Sequence, residues 1–274
     1  METPAPDGHQ GYAGCRDERL THFSPVVVAN WYLYSIFIIK SQEKEMQIPI
    51  LGVPISLDSR TKVLEKIESF LRENRFHRIV TVNPEFLVLA SRNALFRESI
   101  LNADLRIADG FGLVLAGLLQ GEDISRFPGV DLVHDILSLA ERDGHAVFLA
   151  LKKDGLSSYE EIRTVLLQKY PKLFSLGVNN ELGSIGNSTI VLCNFGAPEQ
   201  EYFLEALRNN PGDVRLVVGV GGAFDFLTGK LRRAPQWLRV IGLEWLWRLI
   251  LQPKRWRRIW NAVIVFPTKV LLKK

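Results

Sequence analysis

Sulfur is scarce in this chain of 274 residues, which has two cysteines, Cys15 and Cys193, far apart and in unlike contexts. That argues against a disulfide framework and against a cysteine-based metal site, and it fits a reducing compartment. The five histidines, His9, His22, His77, His134 and His145, lack i, i+4 ligand spacing. A zinc site is therefore not expected, and no legible chemistry calls for a metal or another cofactor. Low-complexity tracts and internal repeats are missing, and 47% hydrophobic with 23% charged residues is ordinary for a globular enzyme. The longest apolar stretch, SPVVVANWYLYSIFII at 24–39, has 16 residues, short of the roughly 20 that a transmembrane helix needs. It is also not followed by a cleavage site of the A-x-A kind, so a signal peptide is unconvincing.

Acidic residues are nearly absent from one region. From Thr228 onward there are twelve Lys or Arg and one acid, Glu244, so this segment carries +11 and the remainder −7, for a net +4. Five of the six tryptophans, Trp237, Trp245, Trp247, Trp256 and Trp260, fall in the same segment. Basic plus aromatic is the composition of a membrane-surface or nucleic-acid contact.

The chain is long enough for one large α/β domain, and three regions are expected. Residues 1–45 form an N-terminal extension, either a mis-assigned start or leader, or a weak membrane anchor. Residues 46–233 form an α/β core, and 234–274 a basic, aromatic, helical C-terminal appendage that associates with membrane. From Met46, short apolar runs predict strands at Pro49–Val53, Arg78–Val82, Leu105–Ala108, Ala146–Ala150, Leu173–Gly177, Thr189–Cys193 and Arg215–Val220. Segments with apolar residues every three or four positions predict helices at Ser59–Glu73, Pro84–Asn102, Val130–Arg142, Ser157–Lys169 and Pro198–Asn209. The alternation implies a Rossmann-like, mainly parallel sheet flanked by helices.

Several junctions carry polar groups where a strand runs into a helix, the position that faces the ligand crevice of an open α/β sheet. Thr81-Val-Asn83-Pro84-Glu85 offers a helix N-terminus to an anion, although Asn83 taken alone reads more simply as a cap. Asp109, in Asp109-Gly110-Phe-Gly112, stands where a carboxylate could take a proton from a sugar hydroxyl, the plainer reading being a turn or cap residue. Arg126, in a loop leading to Pro128-Gly129-Val130-Asp131, could reach a phosphate. In Asn194-Phe-Gly196-Ala-Pro198-Glu-Gln200-Glu201, Gly196 permits close ligand approach and Gln200 could bond a sugar or base, or serve as a cap partner. Gly221 and Gly222 form a tight turn after a strand, outside the dinucleotide G-x-G-x-x-G register, and Asp225 could bond a ribose hydroxyl. Helical spacing sets Arg248 beside Glu244, while Arg255 and Arg258 belong to a cation cluster around Trp256 suited to a headgroup or pyrophosphate.

Taken in order, T-x-N-P-E, A-D-x5-D-G-x-G, P-G-V-D, G-A-P-x-Q-E, G-V-G-G-x-F-D-F, R-A-P-x-W and G-L-E-W-L-x-R-L resemble the WecG/TagA/CpsF family of bacterial glycosyltransferases, over essentially Ile48 to Pro267. The resemblance implies a GT-E type fold and an inverting, metal-independent transfer from a UDP-sugar, such as UDP-N-acetylmannosamine or its uronic acid. It implies a polyprenyl-diphosphate-linked saccharide as acceptor, in cell-surface polysaccharide synthesis at the cytoplasmic face of the cell membrane. It suggests Asp109 as base with Thr81 and Asn83 beside it, Gln200 for a sugar, Asp225 for the nucleoside, and Arg248, Arg255 and Arg258 for the diphosphate. No nucleic-acid partner is implied, and a homo-oligomer is compatible with it. The chain departs from the family at Leu149-Ala-Leu-Lys-Lys, where a glycine-containing turn is usual, and at Val178-Asn-Asn180, where His-Asp-Gly is common. Two other readings compete: a membrane- or RNA-binding module built on the basic tail, and a Rossmann-type oxidoreductase, which lacks its glycine fingerprint.

Overall fold

A computed structural model describes residues 46–173, 175–179 and 185–272; the expected extension at 1–45 lies outside them. The first element is a hairpin, not the single strand expected at 49–53. Strand β1 (Gln47–Ile50) pairs antiparallel with β2 (Val53–Ser56). Leu51 and Gly52 both take positive φ, 50° and 79°, the conformation of a two-residue turn whose twist matches the strands it joins.

Helix α1 (Arg60–Arg72) follows its Ser59 cap and leads to β3 (His77–Val82). The helix expected at 84–102 is broken in two: α2 (Pro84–Ala90), capped by Asn83, and α3 (Ala94–Leu101), capped by Asn93. Asn93 accepts from the Phe96 N–H, and this local alternative to the helical ladder is what restarts the chain there. Then come β4 (Leu105–Ala108), α4 (Phe111–Leu118), α5 (Gly129–Asp143), β5 (Ala146–Ala150) and α6 (Tyr159–Lys169). Strand β6 occupies Ser175–Asn179, two residues later than expected, and Asn180 lies outside the described residues. The core continues through β7 (Ile190–Cys193), α7 (Glu199–Ala206), β8 (Leu216–Gly219) and α8 (Ala223–Leu227). The C-terminal region is helical: α9 (Gln236–Val240), α10 (Glu244–Leu251), α11 (Trp256–Trp260), a π turn (Asn261–Val265) and α12 (Phe266–Leu272). No helix among the described residues is long and apolar enough to cross a membrane.

Strands β3 to β8 form one parallel sheet in the order β4-β3-β8-β7-β5-β6. The described strands read as near-continuous apolar runs because helices bury both faces of a parallel sheet. On one face Ile79, Ile107, Leu149, Leu192 and Val218 pack with α1, α5, α6 and α8. On the other, Val80 and Val82 pack with the hairpin, α2, α3, α4 and Phe266 of α12, while Phe148, Val191 and Val217 pack with Leu204 of α7. The sheet is thus Rossmann-like, as its alternating pattern predicts.

Arg78 interrupts the apolar pattern of the second face and is fully buried. Its guanidinium reaches Glu205 at 2.9 Å, the Ser99 hydroxyl at 3.1 Å and the Glu201 carbonyl at 3.1 Å, with the Glu201 carboxylate 3.9 Å away. Burial pushes the Glu201 carboxyl upward and Arg78 pulls it back. This cluster ties β3, α3 and α7 together; Arg208 also pairs with Glu205, at 3.2 Å, but without Arg78 the fully buried Glu201 carboxyl would lose its compensating guanidinium. Arg78→Met is therefore expected to lower stability by about 3–5 kcal/mol in urea unfolding; a loss below about 1 kcal/mol would show that the cluster is not holding these elements.

Candidate active site

All the strand ends that bear polar residues open on the same side, because the sheet is parallel. A cleft of about 220 Å³ lies there, lined by Thr81 at the end of β3 and Asn83 just past it, Asp109 after β4, Lys152 after β5, Asn194 and Gly196 after β7, and Gly221 and Gly222 after β8. This is where open α/β sheets bind ligands.

Asp109 is held from several directions. Its backbone N–H donates to Val82 O at 2.8 Å, and its carbonyl accepts from Arg126 Nε at 3.2 Å. Ala108 bridges to Arg126, and Phe127 donates to Ala108 O at 2.8 Å, so the loop before α5 extends the sheet beside β4. The Gly129 N–H at the start of α5 donates to Asp109 Oδ1 at 3.1 Å. A Cβ on Gly110 would stand 2.4 Å from Pro84 Cδ, so the loop after β4 lies flush against the Asn83-Pro84 corner only because that residue is glycine. Burial raises the Asp109 carboxyl to about 6, against the opposing pull of Arg248, Arg126 and the Gly129 N–H. Such a group is ionised at neutral pH yet still has useful proton affinity.

Thr81 donates its hydroxyl proton to Gly219 O at 3.1 Å, leaving its lone pairs to the cleft. Asn83 accepts from the Phe86 N–H at 3.0 Å, so it caps α2 as its plainer reading expects, and it also lines the cleft. Gln200 is buried and largely occupied: Oε1 accepts from Gly196 N at 3.1 Å and Gly221 N at 3.2 Å, and Nε2 donates to Glu201 Oε1 at 2.9 Å. It clamps two glycine turns to each other, which leaves one amide hydrogen for a ligand.

The other cations come from the C-terminal helices. Arg248, Arg255 and Arg258 all line the cleft. Arg248 lies over the Phe226 ring at 4.9 Å and 3.8 Å from Glu244, and Arg258 pairs with Glu85 at 2.5 Å. Arg255 donates to the neutral Gln252 side chain at 3.0 Å. Burial together with Arg258 and Arg248 lowers it to about 10. The cleft thus gathers three guanidiniums whose charge is only partly compensated by neighbouring carboxylates.

Two recesses adjoin the cleft. The first, lined by Phe111, Leu115, Trp245, Ile259, Val263 and Pro267, is apolar, and it shares Asp109, Arg248, Arg255 and Arg258 with the cleft. Arg126 lines this recess. The second shares Lys152, Asn194, Gly221, Gly222, Phe226 and Arg255, and it contains Asp225. Asp225 is already engaged, accepting from Ser157 N at 3.1 Å and Ser157 Oγ at 2.8 Å. The residue reading missed Lys152, Asn194 and the pairing of Glu244 with Arg126. Asn194 directly follows β7 and Lys152 stands two residues past β5, and strand-end position was the signal that could have found them. Among the described residues no group of three or more His, Cys, Asp or Glu could hold a metal ion.

A parallel, helix-flanked sheet whose carboxyl edge opens on a cleft lined by a partly buried carboxylate and three arginines has the architecture of an α/β enzyme. Residues 48–274 match the glycosyl transferase WecG/TagA/CpsF family, and the chain belongs to it. It is similar to the N-acetylglucosaminyldiphosphoundecaprenol N-acetyl-beta-D-mannosaminyltransferase of Bacillus subtilis strain 168, with 27% identity over 77% of this chain and 86% of that protein. Enzymes of the same name from Bacillus spizizenii W23 and Staphylococcus aureus MRSA252 are 30% and 25% identical, over 70% and 86% of this chain and 77% and 96% of theirs. The protein is thus a glycosyltransferase and not a basic-tail binding module or an oxidoreductase.

The raised carboxyl of Asp109 has a stability consequence. Its folded-state value of about 6 exceeds the unfolded 3.8, so the group's contribution is fully present below 3.8 and is lost as pH rises through 6. Between pH 5 and pH 8, Asp109→Asn should become progressively more stable relative to the parent, by about 1.4 kcal/mol. Urea unfolding at the two pH values checks this; a difference independent of pH would contradict it.

Proposed function

We propose that this glycosyltransferase moves an N-acetylmannosamine-type sugar from a UDP donor onto N-acetylglucosamine carried on undecaprenyl diphosphate, at the cytoplasmic surface of the membrane. The observation that carries the reading is Asp109, a carboxylate of raised proton affinity, next to three arginines at the carboxyl edge of the sheet. In a single displacement the acceptor hydroxyl oxygen attacks the anomeric carbon and its proton passes to Asp109. The bond from that carbon to the diphosphate oxygen breaks and UDP departs. Arg248, Arg255 and Arg258 offset the charge gathering on the diphosphate, the kind of electrostatic stabilisation that works best in a partly dry site.

The apolar recess sharing Asp109 and the arginines suits the first isoprene units of the acceptor, with its diphosphate at the rim. The second recess, with Lys152 and backbone at Gly221 and Gly222, suits the nucleoside end of the donor. Support for a membrane surface comes from the C-terminal helices. They expose Trp237, Ile241, Ile250, Trp256, Trp260 and Leu271 among Lys254, Arg257 and Lys269, a basic and aromatic composition suited to an anionic interface. The names of the relatives supply the acceptor and sugar types.

The chain would be offered UDP-N-acetylmannosamine and a short-chain polyprenyl-diphosphate N-acetylglucosamine, and UDP release followed. Asp109→Asn should lower kcat by about 10²–10⁴-fold. For the parent, kcat/KM should rise with pH through about 6 as the carboxylate ionises. Full activity in the variant would remove Asp109 from the role of base, and no turnover with this pair would overturn the substrate assignment.

A further inference from the structure

Glu244 is the one acid among the last 47 residues, a segment with twelve Lys or Arg. Chance placement would leave it solvated on the helical surface, yet its side chain is only 15% exposed. At the first position of α10 its carboxylate reaches Arg126 Nη2 at 2.5 Å and lies 3.8 Å from Arg248 Nη2. Arg126 in turn donates Nε to the Asp109 carbonyl at 3.2 Å. A single guanidinium therefore holds the loop of the proton acceptor on one side and the acid of the C-terminal region on the other. The approach of α10 is fixed independently: Gly242 has φ +76°, and a Cβ there would stand 2.2 Å from the Phe111 ring.

We infer that Glu244 is a positioning residue which fastens the C-terminal helices to the Asp109 loop and offsets Arg126 and Arg248, so that Asp109 keeps enough proton affinity to act as base. The inference rests on Asp109 being that base. The charged groups facing Asp109 are Arg126 from the loop before α5, Glu244 and Arg248 from α10, and Arg233 from the segment before α9. Arg233 is already committed, in a bidentate pair with Asp131 at 2.6 and 2.8 Å. Arg255 and Arg258 line the same cleft. Without Glu244, Arg126 and Arg248 would act on Asp109 uncompensated and hold its proton more weakly. The loop would also lose its tie to α10.

A mechanical latch and a charge balance make different predictions. Glu244→Gln and Arg126→Gln break the same ion pair, so a latch alone would move any property of Asp109 the same way in both. A charge balance moves its titration in opposite directions: to lower pH in Glu244→Gln and to higher pH in Arg126→Gln. The Asp109 carboxyl carbon, assigned with Asp109→Asn, would be titrated by carbon-13 NMR in the full chain, alongside kcat for the reaction above. Opposite shifts are expected, with kcat of Glu244→Gln lowered about tenfold or more at pH 8 by the loosened geometry. Shifts of the same sign, or none, would overturn the inference; if one variant does not fold, the sign in the other decides alone. Transfer by the parent with neither shift removes this inference and leaves the function standing, whereas both shifts without transfer by the parent remove the proposed function.

Discussion

For the role proposed for it, Asp109 must be shielded enough from water to raise its proton affinity, yet ionised and open enough to meet a nucleophile, and its surroundings reconcile the two. Its backbone is fixed by Val82 and Arg126, and one oxygen is oriented by the Gly129 N–H. Each of these donors and acceptors comes from a different segment, brought alongside by the parallel pairing of β3 with β4 and the bridge from Ala108 to Arg126. The apolar packing of the sheet thereby fixes the position of one polar group.

The cleft itself is cationic because helices α10 and α11 and the turn between them lie at the carboxyl edge of the sheet, bringing Arg248, Arg255 and Arg258 beside Asp109. Glu85 and Glu244 hold two of these arginines, and Arg255 leans on a neutral amide. This partial compensation is what the proposed diphosphate would complete. Gln200 has a complementary task beneath it. By holding the Gly196 and Gly221 N–H groups it keeps two glycine turns together, and α7 can approach β8 that closely because Gly219 has no side chain; a Cβ there would stand 2.4 Å from Gln200 Nε2.

Much of this was legible from residue order. The apolar runs 78–82, 105–108 and 146–150 became strands β3, β4 and β5 with little change, because continuous burial on both faces leaves a strong one-dimensional trace. The hairpin at 47–56 was not, since the turn is made by Leu51 and Gly52, a pair without the usual Asn-Gly or Asp-Gly signal. The break at Ser91–Asn93 was hidden because apolar spacing continues across it and only the Asn93 cap marks the restart. Within the site, Thr81, Asn83, Asp109, Gln200 and the three arginines were singled out in the sequence and line one cleft. What could not be read was the partnership of Glu244 with Arg126, 118 positions apart, or the engagement of Asp225 by Ser157 across the mouth of the neighbouring recess. Such pairings depend on how α8 and α10 seat on the sheet, which composition and spacing do not encode.

The central claim is a single displacement in which Asp109 takes the proton of the incoming hydroxyl. Its most direct test is the anomeric configuration of the product, read by proton NMR after transfer from an α-configured UDP-sugar. The account predicts a β linkage, the outcome of one inversion; an α-linked product would contradict it, because retention requires an intermediate or a front-face route that a lone proton acceptor at this position does not provide.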